Sequence, residues 1–140
     1  MKRLISTLLG LILSATGVTA QVAVIAHKSV AVDKIEKSHL LDLYTGDKSL
    51  WGDGKPVIVF DLKQKSGTRR AYYSFLGMSS HRIKSIWLKR MLSGDADPPE
   101  SFASEEELLK RVATTPGAVG FVAQAKVNGD VKVLMTIEKK

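Results

Sequence analysis

Ser66-Gly67-Thr68, followed by Arg69 and Arg70 and preceded by Lys63 and Lys65, is the stretch whose residue types together suit a chemical task. That task is holding a small oxyanion. Upstream, Pro56-Val57-Ile58-Val59-Phe60 reads as a short buried strand. Downstream, Ala71 to Leu76 has the crowded apolar face of a helix. A helix that starts at such a junction exposes unpaired N–H groups and the positive end of its dipole. Gly67 lets the backbone come close, and the Ser66 and Thr68 hydroxyls can donate to anionic oxygens. The same residues also suit a helix cap, where Ser and Thr are favoured. Capping is the commoner use, and the local sequence leaves both readings open.

The elements that must position this turn can be read along the chain. Val22 to Ala26 is apolar and partly β-branched, a buried first strand. Ile35 to Tyr44 is a short amphipathic helix stopped at Gly46. Trp51 to Pro56 is a turn-rich loop leading to the second strand. After the Ser-Gly-Thr helix and Gly77, a longer helix runs from Ser79 to Leu92, with Ile83, Ile86, Trp87 and Met91 at helical spacing. That spacing predicts a buried face, with Trp87 in the core. Ser93 to Pro99 is a loop, because paired prolines prevent regular hydrogen bonding. Ser104-Glu105-Glu106-Glu107 forms a capping box for a helix carrying Leu108, Leu109 and Val112, which ends at Pro116-Gly117. Ala118 to Val122 is a third strand and Val131 to Leu134 a fourth, after the Asn128-Gly129-Asp130 turn. Strands alternating with helices predict one small α/β domain with a mostly parallel or mixed sheet flanked by helices.

Composition narrows the compartment and the partners. Lys2 and Arg3 precede a mostly apolar run to Val18, and Val18-Thr19-Ala20 ends in small residues. This is the layout of a secretory signal peptide over residues 1–20, cleaved before Gln21. The mature domain then spans 21–140, with no membrane span, and its expected place is the periplasm. The chain has no cysteine, which excludes disulfides and a lipid-modified cysteine. The net charge of +7 falls by two, to +5, once Lys2 and Arg3 leave with the leader. A basic domain suits small anions, and export together with the lack of interleaved basic and aromatic residues argues against nucleic acid.

Catalytic chemistry is hard to assemble. His27, His39 and His81 fall in separate segments without metal-ligand spacing, and no nucleophile-elbow sequence is present. Gly52-Asp53-Gly54-Lys55 is too short for a nucleotide-phosphate loop and reads as a surface turn. The expectation is a binding protein, not an enzyme, that needs no metal and no cofactor.

Five segments in order carry a family resemblance: Leu40 to Gly46, Leu50 to Gly54, Val57 to Phe60, Ser66 to Arg69, and Thr115 to Val122. Together they resemble the PstS-like phosphate-binding proteins that serve ABC importers, especially the short members. The resemblance implies one lobe of a type II periplasmic binding protein, with Ser66, Gly67 and Thr68 contacting phosphate or a similar oxyanion. It also implies an ABC permease as partner. An envelope sensor and a second copy of the chain are further candidates.

Two departures from the family pattern bear on strength. The family carries an arginine shortly before Ser-Gly-Thr, where this chain has Leu62 and Lys63. Lys63 and Arg69 are therefore the candidate cations, in a different geometry. Full-size members close two lobes around the anion and supply a carboxylate for its proton. Here only Asp61 is near, and only in sequence. Three or four charge-assisted bonds of ~1.5 kcal/mol each give about 5–6 kcal/mol before ordering costs, a dissociation constant of roughly 0.1 mM or weaker. The competing expectation is an interaction protein that keeps the fold without the ligand, docking through its basic surface and the Asp95–Pro99 loop.

Overall fold

The computed structural model describes residues 21–138, so the predicted leader lies outside the described residues. Their elements run β1 (Gln21–Ala26), α1 (Lys37–Thr45), β2 (Ile58–Leu62), α2 (Gly67–Leu76), α3 (Ser80–Leu92), β3 (Glu100–Phe102), α4 (Glu105–Thr114), β4 (Ala118–Ala123) and β5 (Lys132–Glu138). A short 3₁₀ turn at Gln124–Lys126 joins the last two strands. The sheet is mixed, in the order β3-β2-β4-β1-β5. β2 lies parallel to β3 and β4, whereas β1 lies antiparallel to β4 and β5. The small α/β domain with a mixed, helix-flanked sheet is thus the observed fold.

Burial explains the central strands. Val22 to Ala26 and Ala118 to Val122 are buried throughout, as continuous apolar strands covered on both faces must be. Successive residues of β4 show what covers each face. A Cβ on Gly120 would meet Leu108 Cδ2 of α4 at 2.6 Å, while Phe121 stacks on Tyr72 of α2 at 3.9 Å with 6° between rings. Neighbouring strand residues point to opposite faces, so α4 and α2 sandwich the sheet.

The boundaries differ from the sequence expectation in instructive ways. β2 starts two residues later and runs on to Leu62, which places Asp61 inside the sheet rather than in the following loop. β3 was not expected: three residues directly after Pro98-Pro99 pair in parallel with β2, Phe60 to Leu62 against Glu100 to Phe102. A strand that short carries no periodicity; only its neighbour makes it one. β5 extends to Glu138, paired along β1 with a register shift between Val24 and Ile25.

The predicted buried face of α3 is corrected. Ile83 is buried, but Met91 and Leu88 are each 47% exposed and Leu92 is 77% exposed. Trp87 is only partly buried, and its Nε1 donates to Tyr44 O at 2.9 Å. Arg90 Nε donates to Thr45 O at 2.7 Å. α3 therefore satisfies carbonyls left open at the end of α1 rather than burying a whole face in the core.

Candidate functional site

The expected helix start is where the sequence placed it. Ser66 has extended backbone and its Oγ accepts from Arg69 N at 3.1 Å, so Ser66 caps α2. Ser66 N donates to Lys63 O and Arg70 N donates to Ser66 O, which closes the entry turn. The cap uses one lone pair of Ser66 Oγ and leaves its O–H free to donate outward. Capping and anion binding are therefore compatible in the same residue.

Between these bonds stand Gly67 N–H and Thr68 N–H, neither of which has a partner among the described residues. They are two of the orphan donors at a helix start, at the positive end of a helix of 10 residues. Gly67 has no left-handed backbone, and a Cβ there would meet only Arg70 Nη2, at an ordinary 3.5 Å. The fold does not require this glycine, and the space in front of it is open.

Behind the turn lies a buried ion pair. Arg69 Nε donates to Asp61 Oδ1 at 3.3 Å and its terminal nitrogen to Oδ2 at 3.5 Å. The guanidinium lies over the Tyr73 ring, 4.6 Å from the centroid. Tyr73 OH donates to Asp61 Oδ2 at 2.7 Å, and Leu62 N donates to Oδ1 at 2.7 Å. Burial pushes the Asp61 carboxyl up, outweighing the downward pull of Arg69, Tyr73 and the Leu62 N–H. Burial also raises the Tyr73 phenol well above its ordinary value, so its O–H stays in place as a donor. Four donors fill the lone-pair directions of Asp61, which leaves none for the proton of a ligand.

The five predicted site residues divide by position. Lys63, Ser66 and Arg69 line one open groove of about 890 Å³, and Gly67 and Thr68 sit beside it on the first turn of α2. Arg69 is buried and committed to Asp61, whereas Lys63 is exposed and forms no ion pair among the described residues. The groove opens at the carboxyl ends of the parallel strands β2 and β3, the end of an α/β sheet where ligands bind. Sequence reading missed the wall of this groove, because Trp87 and Met91 were assigned to a buried face by their spacing and Leu88 was not singled out. Among the described residues no three His, Cys, Asp or Glu side chains gather as a metal site, and no helix is long and apolar enough to cross a membrane.

No family model and no curated protein matches the chain in sequence. Solved structures do match in fold. A protein from Clostridium perfringens assigned as a phosphate ABC transporter substrate-binding protein, with bound phosphate, superposes with a TM-score of 0.69 at 19% identity, over 82% of this chain and 44% of its own. An ABC-type phosphate transport receptor from Vibrio cholerae gives 0.68 at 20% identity, over 83% and 46%. PstS from Borrelia burgdorferi gives 0.64 at 12% identity, over 82% and 46%. The chain thus spans less than half the length of these proteins, whose fold it shares over that portion.

Proposed function

We propose that this chain, folded like one part of the PstS phosphate-binding proteins, is a substrate-binding-like protein that holds phosphate or a similar oxyanion at the start of α2. The observation that carries the reading is the pair of unpartnered N–H groups of Gly67 and Thr68 beside the Ser66 hydroxyl. Backbone donors at a helix N-terminus bind anions without an opposing charge, and the dipole adds to them. Thr68 Oγ1 is a further donor, and Lys63 supplies mobile positive charge from the rim. Arg69 acts from behind the turn, its charge largely balanced by Asp61.

The role is binding and delivery rather than catalysis, in the exported compartment that the leader at 1–20 indicates. Phosphate ABC transport is the process it serves. The assignment of the structurally similar proteins to phosphate transport supports this reading. Isothermal titration with phosphate and with sulfate tests it. The expected result is a dissociation constant of roughly 0.1 mM or weaker, abolished by the Ser66→Ala/Thr68→Ala double substitution. No heat from either anion at millimolar concentration overturns the proposal.

A further inference from the structure

The groove beside Ser66 is far larger than a bare tetrahedral anion needs, at about 890 Å³. That is the size of sites that take whole small organic molecules, ~300–1,000 Å³. Its lining is of two kinds. The turn between β2 and α2 contributes Lys63, Lys65 and Ser66, whereas α3 and the loop before β3 contribute Trp87, Leu88, Met91 and the Pro98-Pro99 pair. Leu88 and Met91 are each 47% exposed on the same turn of α3 that Trp87 and Arg90 pin to α1. Single exposed apolar residues are ordinary, but these line one concavity together with an indole and two proline rings.

Charge selects among occupants. Lys63, Lys65 and Lys84 border the groove, and its only carboxylate among the described residues, Asp61, is paired with Arg69. A second copy of the chain would bring its own basic groove, on a domain whose charge is +5 once Lys2 and Arg3 are set aside from the +7 of the full sequence, and like charges oppose that contact. An anion carrying an apolar body matches both kinds of lining.

We infer that the ligand of this site is a phosphate monoester with a compact apolar group: the phosphoryl oxygens sit at the start of α2, and the apolar group lies along α3 between Leu88, Met91 and the prolines. The inference rests on the anion-binding reading of α2 and names the class of molecule that fills the rest of its groove. Burying ~100 Å² of apolar surface at ~25 cal/mol per Å² makes such an ester up to about a hundredfold tighter than inorganic phosphate. Losses on immobilising the ligand reduce this to about tenfold.

The purified protein is titrated with inorganic phosphate, phenyl phosphate and phenol, and so is a Leu88→Ser/Met91→Ser variant. Both substitutions sit on an exposed helix face, and circular dichroism checks that the variant is folded. The expected result is phenyl phosphate at least tenfold tighter than inorganic phosphate, with the ratio collapsing to within about twofold in the variant. Equal affinity for the two phosphates, or a ratio that survives the double substitution, overturns the inference and leaves the anion site standing. Phenol binding as tightly as phenyl phosphate also overturns it, because the anionic end is then not read. Binding of neither phosphate overturns the inference and the anion site together.

Discussion

At the scale of single residues, Ser66 does two jobs with one oxygen. It accepts from Arg69 N as the cap of α2, and it keeps a hydrogen to donate. The two jobs separate under substitution. Ser66→Ala removes both, costing about 1 kcal/mol of stability together with the anion contact. Ser66→Asp keeps the cap, since Asp is as good an N-cap as Ser and its charge suits the helix dipole. It also puts a negative charge where the anion must sit. Thermal melts of Ser66→Asp should therefore match or exceed the wild type while phosphate binding falls below detection. Retained phosphate affinity in Ser66→Asp would show that the anion binds elsewhere.

At the scale of elements, the joint between β2 and α2 is the Asp61–Arg69 pair. Asp61 is 5% exposed and Arg69 8% exposed, so neither charge can turn to water if the other is removed. Asp61→Ala should lose about 3–5 kcal/mol in denaturant unfolding, and Asp61→Ala/Arg69→Met should recover most of that loss. A double variant as unstable as the single one would refute the pairing. The joint also has a pH signature. The Asp61 carboxyl is raised in the folded chain, chiefly by burial. The folded state thus takes up that proton at higher pH than the unfolded state does. Relative to Asp61→Asn, the wild type should gain stability as pH falls through the folded value, levelling off below about pH 4. A relative loss of stability in that range would mean the carboxylate is held below its ordinary value instead.

The helices were largely legible before the fold was known, because their signals are local. Ser66, Ser79 and Ser104 each cap the helix that follows, with bonds to Arg69, Arg82 and Glu107 N–H. Gly46 and Gly77 end α1 and α2 in left-handed conformation. The strip of α3 was misassigned for the opposite reason. Ile83, Ile86, Trp87 and Met91 have the spacing of a core face, but spacing does not reveal whether a neighbour exists to cover it. Here the cover extends only as far as α1, and the rest forms the groove wall.

At the scale of the whole molecule, one residue gathers three distant segments. Gly117 N donates to Ser29 Oγ at 3.3 Å, and Gly117 O accepts from Trp51 Nε1 at 2.9 Å and from Ile58 N at 3.2 Å. Its φ is +79°, and a Cβ there would lie 2.7 Å from Pro56 O, a backbone atom with no rotamer to yield. Gly117→Ala should therefore destabilise the protein by about 2 kcal/mol or more, read as a lowered melting temperature. An unchanged melt would mean that this junction can shift as a body.

The sequence alone determined the α/β class, the start of α2 at Ser66-Gly67 and the resemblance to phosphate-binding proteins. All three are written in residues close together in the chain: caps, turns, apolar runs and a short motif. Tertiary structure alone decided that Asp61 belongs to the sheet and is consumed by Arg69. It alone made Glu100 to Phe102 a strand, and it turned the apolar strip of α3 into the wall of a groove. Each of these depends on which neighbour occupies the space beside a residue. Pairing and burial are properties of contacts between segments, and local sequence carries no record of which segments will meet.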